Sequence, residues 1–346
     1  MIFRAAAGAD LARLEPLVVA DPASPLTIAT FRASVARAEY RPEWTWIAED
    51  GGDGAVLAAA IWWGRPGEAA PDTLDGLFAH DSLNRDERAV VAGRLIAAAH
   101  RAFAAAGRAT GGATPDFHVL LPADWRGRRD VVTALSWRWD AAMRAGLTEE
   151  LERLRFVWTN AAGLPRDSGR LTFGAEPDDG VFEDLFCRVL DGTLDATTRK
   201  TADAVGPRAQ ARLDVAFYRD KMPGDRGWWR VARTRDGEAV GFGIPSRNSD
   251  FPVVGYLGVL PEHRGHGYVG DILAEITRVL VAEAGAQIIH ADTDLANQPM
   301  AAAFERAGYR NFARRVVLSA PLGTRWWPRT GPAVARRRGI TWTSGL

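Results

Sequence analysis

The chain has 346 residues, 47% of them apolar and 25% charged, the balance of a globular protein long enough for two domains. Lysine plus arginine equals aspartate plus glutamate at 43 each, so no net field favours a polyanion, which argues against general nucleic-acid binding. Cys187 is the only cysteine, which excludes an intramolecular disulfide and a cysteine-based zinc site; with no signal-peptide pattern and no apolar run long enough for a bilayer, the expectation is a cytoplasmic protein without membrane contact.

In chain order, residues 3–6 read as a short strand, and Asp10 as the cap of a helix carrying Leu11, Leu14, Leu17 and Val18. Residues 28–40 fit a second helix. Residues 44–49 and 56–63 form a hairpin across the Gly51–Gly54 turn, and residues 74–79 are a further strand. Residues 84–106 are helical, 117–121 a buried strand, 131–144 a helix and 154–158 a closing strand. Residues 161–170, rich in Gly and Pro, have the composition of a linker.

Beyond it the order restarts: a strand at 171–175, a helix capped by Asp178 or Asp179 through Leu190, and a helix near 210–218. A hairpin follows at 228–234 and 239–245 around Asp236-Gly237. Then come strands at 287–291 and 312–318 flanking a helix at 297–307. Ala141-Ala-Met-Arg-Ala-Gly-Leu resembles Ala303-Phe-Glu-Arg-Ala-Gly-Tyr, each leading into a last strand that holds arginine. This predicts a duplication: residues 1–160, a linker at 161–170, residues 171–320, and a tail at 321–346.

The stretch 253–271 connects both signals. An apolar strand (Val253, Val254, Tyr256, Leu257, Val259, Leu260) ends at Pro261, and Arg264, Gly265, His266 and Gly267 lead into a helix with Val269, Ile272, Leu273, Ile276, Val279 and Leu280 on one face. A strand, a glycine turn and a helix start place free backbone N–H groups and a positive dipole end together, which suits phosphate. The counterpart in the first half, around 81–88 (DSLNRDER), has no glycine and three acids, a poor diphosphate cradle.

The second half resembles the GCN5-related N-acetyltransferases, the GNAT superfamily. The family turn, Gln/Arg-x-x-Gly-x-Gly/Ala, is similar to Arg264–Tyr268, with Val269 standing where the family has its last small residue. Asn297, Met300, Phe304, Glu305, Gly308 and Tyr309 resemble the family's second signature at matching spacing. The resemblance implies an α/β fold of two tandem GNAT-like domains, each a mixed sheet flanked by helices, the first degenerate. It also implies acetyl-CoA as co-substrate and no metal. The diphosphate is then expected on Gly265, His266, Gly267, Tyr268 and Val269, beside Arg264. The pantetheine arm is expected along Leu257, Gly258 and Val259, with Asn297 and Phe304 nearby. The reaction implied is direct attack by a primary amine of a small-molecule or peptide acceptor.

Many family members carry a proton-donating tyrosine where this chain has Phe304, so Tyr256 and Asp292 become the catalytic candidates, with His290, Thr293 and Asp294 close in sequence. Each also has a plain structural use: Tyr256 as packing on a half-buried strand, Asp292 and Asp294 as helix caps. A non-catalytic acetyl-CoA-binding scaffold and an enzyme using a longer acyl-CoA stand as alternatives, and a homodimer is compatible with the pattern. Only Lys200 and Lys221 are lysines, a bias expected of a bacterial genome rich in G and C. The tail holds Arg325, Arg329, Arg336, Arg337 and Arg338 without an acid, read as packing against the first domain or an arm for an acidic partner.

Overall fold

Four residues of extended chain, β1 (Ile2–Ala5), open the fold; the computed structural model describes residues 1–107, 114–248 and 250–321. Next come α1 (Leu11–Leu14), α2 (Ile28–Ala36), β2 (Tyr40–Glu49), β3 (Val56–Trp63), β4 (Thr73–Ala79), α3 (Arg85–Ala105), β5 (Asp116–Pro122), α4 (Arg129–Arg144) and β6 (Glu149–Thr159). The order then restarts with β7 (Thr172–Ala175), α5 (Asp179–Val189), α6 (Ala196–Val205), α7 (Pro207–Asp220), β8 (Arg230–Arg233), β9 (Ala239–Arg247) and β10 (Pro252–Val259). It closes with α8 (Tyr268–Ala284), β11 (Ile288–Asp294), α9 (Gln298–Arg306) and β12 (Arg310–Ser319). The fold is mixed α/β, as the sequence predicts. No helix among the described residues is long and apolar enough to cross a membrane.

The chain divides into two compact units: Met1–Glu152 with the described residues from Arg314 on, and Arg153–Ala313. The first has strand order β1-β2-β3-β4-β5 and the second β7-β8-β9-β10-β11-β6. In each, the first four strands pair antiparallel and the fifth joins the fourth in parallel. The parallel pairs are brief. β4 and β5 register only at Thr73↔Asp116 and Leu74↔Phe117, and β10 and β11 only at Val253↔His290. In both units the two strands therefore part after their first residues.

Helices α8 and α9 bury one face of the second unit's sheet, joining Ile272, Leu273, Ile276, Leu280 and Phe304 to Phe156, Trp158 and Ile289. Each such side chain contributes roughly 1.5–3 kcal/mol on burial. On the other face, Phe182, Phe186 and Trp229 pack edge-on against Phe242 and one another, with ring centroids 4.7–5.8 Å apart. Gly243 permits the close approach of α8, since a Cβ there would meet Ile276 Cγ1 at 2.8 Å.

Three expectations are corrected. The helix expected to carry Leu11, Leu14, Leu17 and Val18 ends at Leu14, and Asp10 stands at its start with no side-chain cap bond to it. Residues 28–40 do not form one helix: α2 ends at Ala36, Ala38 takes a left-handed φ of 58°, and Tyr40 already begins β2, where its buried hydroxyl donates to Asp75. Helix α6 has no counterpart in the sequence reading; Asp195 caps it, accepting from Thr198 N at 2.7 Å. The tail arginines, read as packing against the first domain or as an arm for an acidic partner, lie outside the described residues.

In the first unit's core, His100 on α3 lies edge-on to Trp62 at 5.6 Å, and neither ring nitrogen has a hydrogen-bond partner. Burial pushes its pKa from 6.5 down to about 3. The folded form then takes up no proton between pH 6.5 and about 3 while the unfolded chain does, so stability that is full above pH 6.5 is lost on acidification. We predict that, between pH 7 and pH 5, the wild type loses about 2 kcal/mol more than His100→Leu. Chemical denaturation at the two pH values measures this, and equal losses would refute it.

Candidate active site

Pro261 ends β10, and a short 3-10 turn (Pro261–His263) carries the chain to Arg264. Gly265 and Gly267 take left-handed φ values of 82° and 77°, which only glycine adopts without strain, and Gly267 is the N-cap of α8. The turn uses its own donors sparingly: His263 N reaches Leu260 O at 2.9 Å, Arg264 N reaches Pro261 O at 3.2 Å and Gly270 N reaches Gly267 O at 3.0 Å. Between them, the N–H groups of residues 265–269 have no acceptor among the described residues. Residues 265–267 are exposed, and a Cβ built on Gly265 meets nothing within 4 Å. The result is an open row of main-chain donors at the positive end of a seventeen-residue helix.

Arg264 stands beneath this row. Its guanidinium donates to Val259 O (3.2 Å), Val189 O (2.9 Å) and Asp191 O (2.5 Å), so it braces the turn against the carboxyl end of α5. A cation there also complements the helix dipole. Arg170 was invisible as a site residue, because its surroundings had the composition of a linker. It lies against the other side of the turn, donating to His266 O at 2.9 Å and to Asp271. The His266 ring stacks with Tyr268 at 5.8 Å.

Upstream, the register of β10 against β9 shifts between Val254 and Tyr256, a bulge at Gly255, while the β10 edge toward β11 is unpaired beyond Val253. Leu257, Gly258 and Val259 lie on this free edge. Asn297 caps α9 through Oδ1, accepting from Met300 N at 3.3 Å. Phe304 is 2% exposed and stacked on Phe156 at 5.0 Å, so its ring belongs to the core.

The opposite face of the parted strands gathers charge. Asp292 pairs with the buried Arg155 at 3.2 Å. Asp294 pairs with Arg153 at 2.8 Å and accepts from Ala196 N at 2.7 Å, so its side chain caps α6 rather than the α9 helix the sequence suggested. Asp195 reaches the same Arg153 at 3.1 Å. His290 stacks on Phe251 at 4.4 Å, and burial with the nearby Arg155 lowers its pKa to about 4, leaving a neutral imidazole. Tyr256 packs among Phe186, Phe242 and Tyr218; burial and the charges of Asp195 and Asp214 hold its phenol well above the usual range.

Asp214 is a buried carboxyl near Tyr256 that no motif announces. It is 3% exposed on α7, accepts from Gln210 Nε2 at 2.8 Å through one oxygen, and has no partner for the other. Burial raises its pKa to about 8. The signal in the sequence was a Gln210–Asp214 pair at i,i+4 on the inward face of a helix, beside Ala211, Val215 and Tyr218.

Residues 197–309 match the model of the Acetyltransferase (GNAT) family, about a third of the chain. The fold is similar to a GCN5-related N-acetyltransferase from Sphaerobacter thermophilus, at 18% identity and a TM-score of 0.53 over 91% of this chain and 94% of that one. It is also similar to a glucosamine N-acetyltransferase region of a fungal multi-domain GH3 β-N-acetylglucosaminidase, at 14% identity and 0.54, over 91% of this chain and 38% of that one. A tandem GNAT protein from the clavulanic acid biosynthesis pathway aligns at 16% identity and 0.47 over 92% and 98%. No curated protein matches the sequence significantly. Residues 197–309, within the second unit, are thus similar to the GNAT acetyltransferase family, and the resemblance read from the glycine turn and from Asn297 to Tyr309 is borne out.

Asp214 gives a sharp test of the buried face. A carboxyl whose pKa is raised from 3.8 to about 8 contributes stability that is full below pH 3.8 and is lost as pH rises toward 8. Asp214→Asn removes that loss, so the variant is predicted to be more stable than wild type by about 2–4 kcal/mol at pH 8 and to differ little near pH 4. Urea titration at both values decides it; an equal difference at both would contradict the raised pKa.

Proposed function

We propose that the second unit binds acetyl-CoA at residues 265–269 and transfers the acetyl group to a primary amine of a small-molecule or peptide acceptor. The observation that carries this reading is the row of unpaired N–H groups where α8 begins, inside the stretch matched by the acetyltransferase family model. A diphosphate fits such a cradle: donors are free, the left-handed glycines leave space, and the helix end is positive. Arg264 holds the turn in shape. Main-chain groups of Leu257, Gly258 and Val259 offer the pantetheine arm a strand edge to pair with, and Asn297 lies beyond the parted strands.

When bound, acetyl-CoA supplies the thioester that the acceptor's neutral amine attacks directly. In this reading Tyr256 keeps its proton at neutral pH and donates it to the departing sulfur. Asp292 takes the proton from the acceptor's ammonium, oriented by Arg155. Asp195, Asp292 and Asp294 gather around Arg153 and Arg155, and a cationic acceptor is drawn to carboxylates grouped in this way. The first unit, within residues 1–160, is a degenerate copy in the same reading. Its α3 amides at Asp86 and Glu87 are taken by Asn84 Oδ1 at 3.0 Å each, and Asn84 N is taken by Glu87.

Two variants test the assignment alongside release of free thiol from acetyl-CoA with a panel of amines. Gly267→Glu puts a carboxylate and a strained φ at the cradle and is expected to weaken CoA binding about 100-fold while the fold survives. Unchanged affinity would place the cofactor elsewhere. Tyr256→Phe is expected to lower kcat about 100-fold with KM for acetyl-CoA unchanged. A second reading, a non-catalytic acetyl-CoA-binding scaffold, draws on Phe304, which brings no hydroxyl and is buried. Thermal stabilisation by acetyl-CoA without thiol release on any amine would favour the scaffold over the enzyme.

A further inference from the structure

We propose that Arg170 is a binding residue of the diphosphate site, acting both on Asp271 and on the ligand; the inference rests on the coenzyme A reading above. Asp271 is the acid of the first turn of α8, and its side chain is 10% exposed. A carboxylate there is favoured by the same positive helix end that would hold a diphosphate, so the two anions compete. Left alone, Asp271 would repel any phosphate placed on residues 265–269.

Arg170 cancels that charge. Its Nη2 donates to Asp271 Oδ2, Nη1 to His266 O at 2.9 Å and Nε to Ser168 Oγ at 3.3 Å, with the guanidinium 5.1 Å from the centre of the Tyr268 ring. A guanidinium has five N–H groups. Three are engaged, which leaves two. The guanidinium lies close to the donor row, because a Cβ added to Gly267 would lie 3.8 Å from Arg170 Nη2, and Gly267 is the centre of that row. Arg170 remains 47% exposed, so an incoming phosphate reaches it without rearranging the core. Asp271 thereby changes from a competitor into an anchor: it holds the cation beside the row of amides, and the planar fork then presents its free edge to the diphosphate oxygens.

Isothermal titration of the full chain with CoA and with 3′-dephospho-CoA tests this, using wild type, Arg170→Ala, Arg170→Lys, Asp271→Asn and the Arg170→Ala/Asp271→Asn double variant. Arg170→Ala is expected to weaken both ligands about tenfold, with a shallower salt dependence, and the double variant to recover part of that loss. Arg170→Lys, which keeps the charge and the link to Asp271, should lose less; it also carries the test should the alanine variant fold poorly. Equal affinity of wild type and Arg170→Ala would overturn the proposal. So would a loss confined to CoA, which marks a contact with the 3′-phosphate. A loss the double variant does not recover at all marks a purely structural brace and would overturn it too. Failure of the wild type to bind either ligand is a different result, since it removes the coenzyme A reading itself.

Discussion

A main-chain donor without an acceptor is costly when buried and useful when exposed, and the second unit keeps five in a row where solvent or a ligand can reach them. Much of the surrounding structure serves that row. Left-handed φ values at Gly265 and Gly267 turn successive N–H groups to one side. Arg264 ties the turn to the carbonyls of Val189 and Asp191, which fixes the turn and caps α5 with one side chain. Helix α8 is pressed onto the sheet by Ile272 and Ile276 over Gly241 and Gly243, so its first turn does not drift. β10 feeds the row from a strand whose far edge is itself unpaired.

The first unit makes the same strand order and the same early parting of its parallel strands, yet settles its polar groups differently. Asn84 and Glu87 form a capping box at the start of α3, which satisfies from within the donors that a phosphate would need. A cavity of about 840 Å³ opens there, lined by residues that include His80, Arg88, Trp137 and Arg138. Two of its cations are internally compensated: Arg88 pairs with Asp81 and donates to Leu83 O, while the buried Arg138 donates to Leu77 O, Ala134 O and Asp21. The two units thus share a strand order but differ at this helix start, where the donors are capped in one and open in the other.

The sequence revealed whatever rests on local rules. Asp178 caps the helix it was expected to cap, and the strand–turn–helix around Gly265 forms as its residues require. Helix α6 escaped notice because its buried position is Thr198, and a search for apolar periodicity passes over a helix that turns a hydroxyl inward. The end of α2 depends on a left-handed Ala38, which no propensity announces. Asp214 and Arg170 were missed because tertiary packing, rather than a motif, gives them their surroundings. Arg170 meets His266 and Asp271, and Asp214 acquires its character from burial on α7. The compact units divide at 152/153 and 313/314, inside strands, where composition gives no mark.

Phe304 also bears on where a proton donor can lie. Its ring is held between Phe156 at 5.0 Å and Tyr309 at 5.3 Å, and the Tyr309 hydroxyl is bound to Thr277 Oγ1 at 2.8 Å. The aromatic groups of this segment are therefore committed to the core, and adding a hydroxyl at 304 would bury a polar group among rings. Tyr256 also packs among rings, those of Phe186, Phe242 and Tyr218, but differs in its hydroxyl. It is half-buried on β10, beside the parted strands, and its hydroxyl has no hydrogen-bond partner among the described residues. Two carboxyls, Asp195 and Asp214, raise its pKa further and so keep its proton in place. The parting of β10 from β11 leaves Tyr256 on one strand and Asp292 on the other, on opposite sides of the gap.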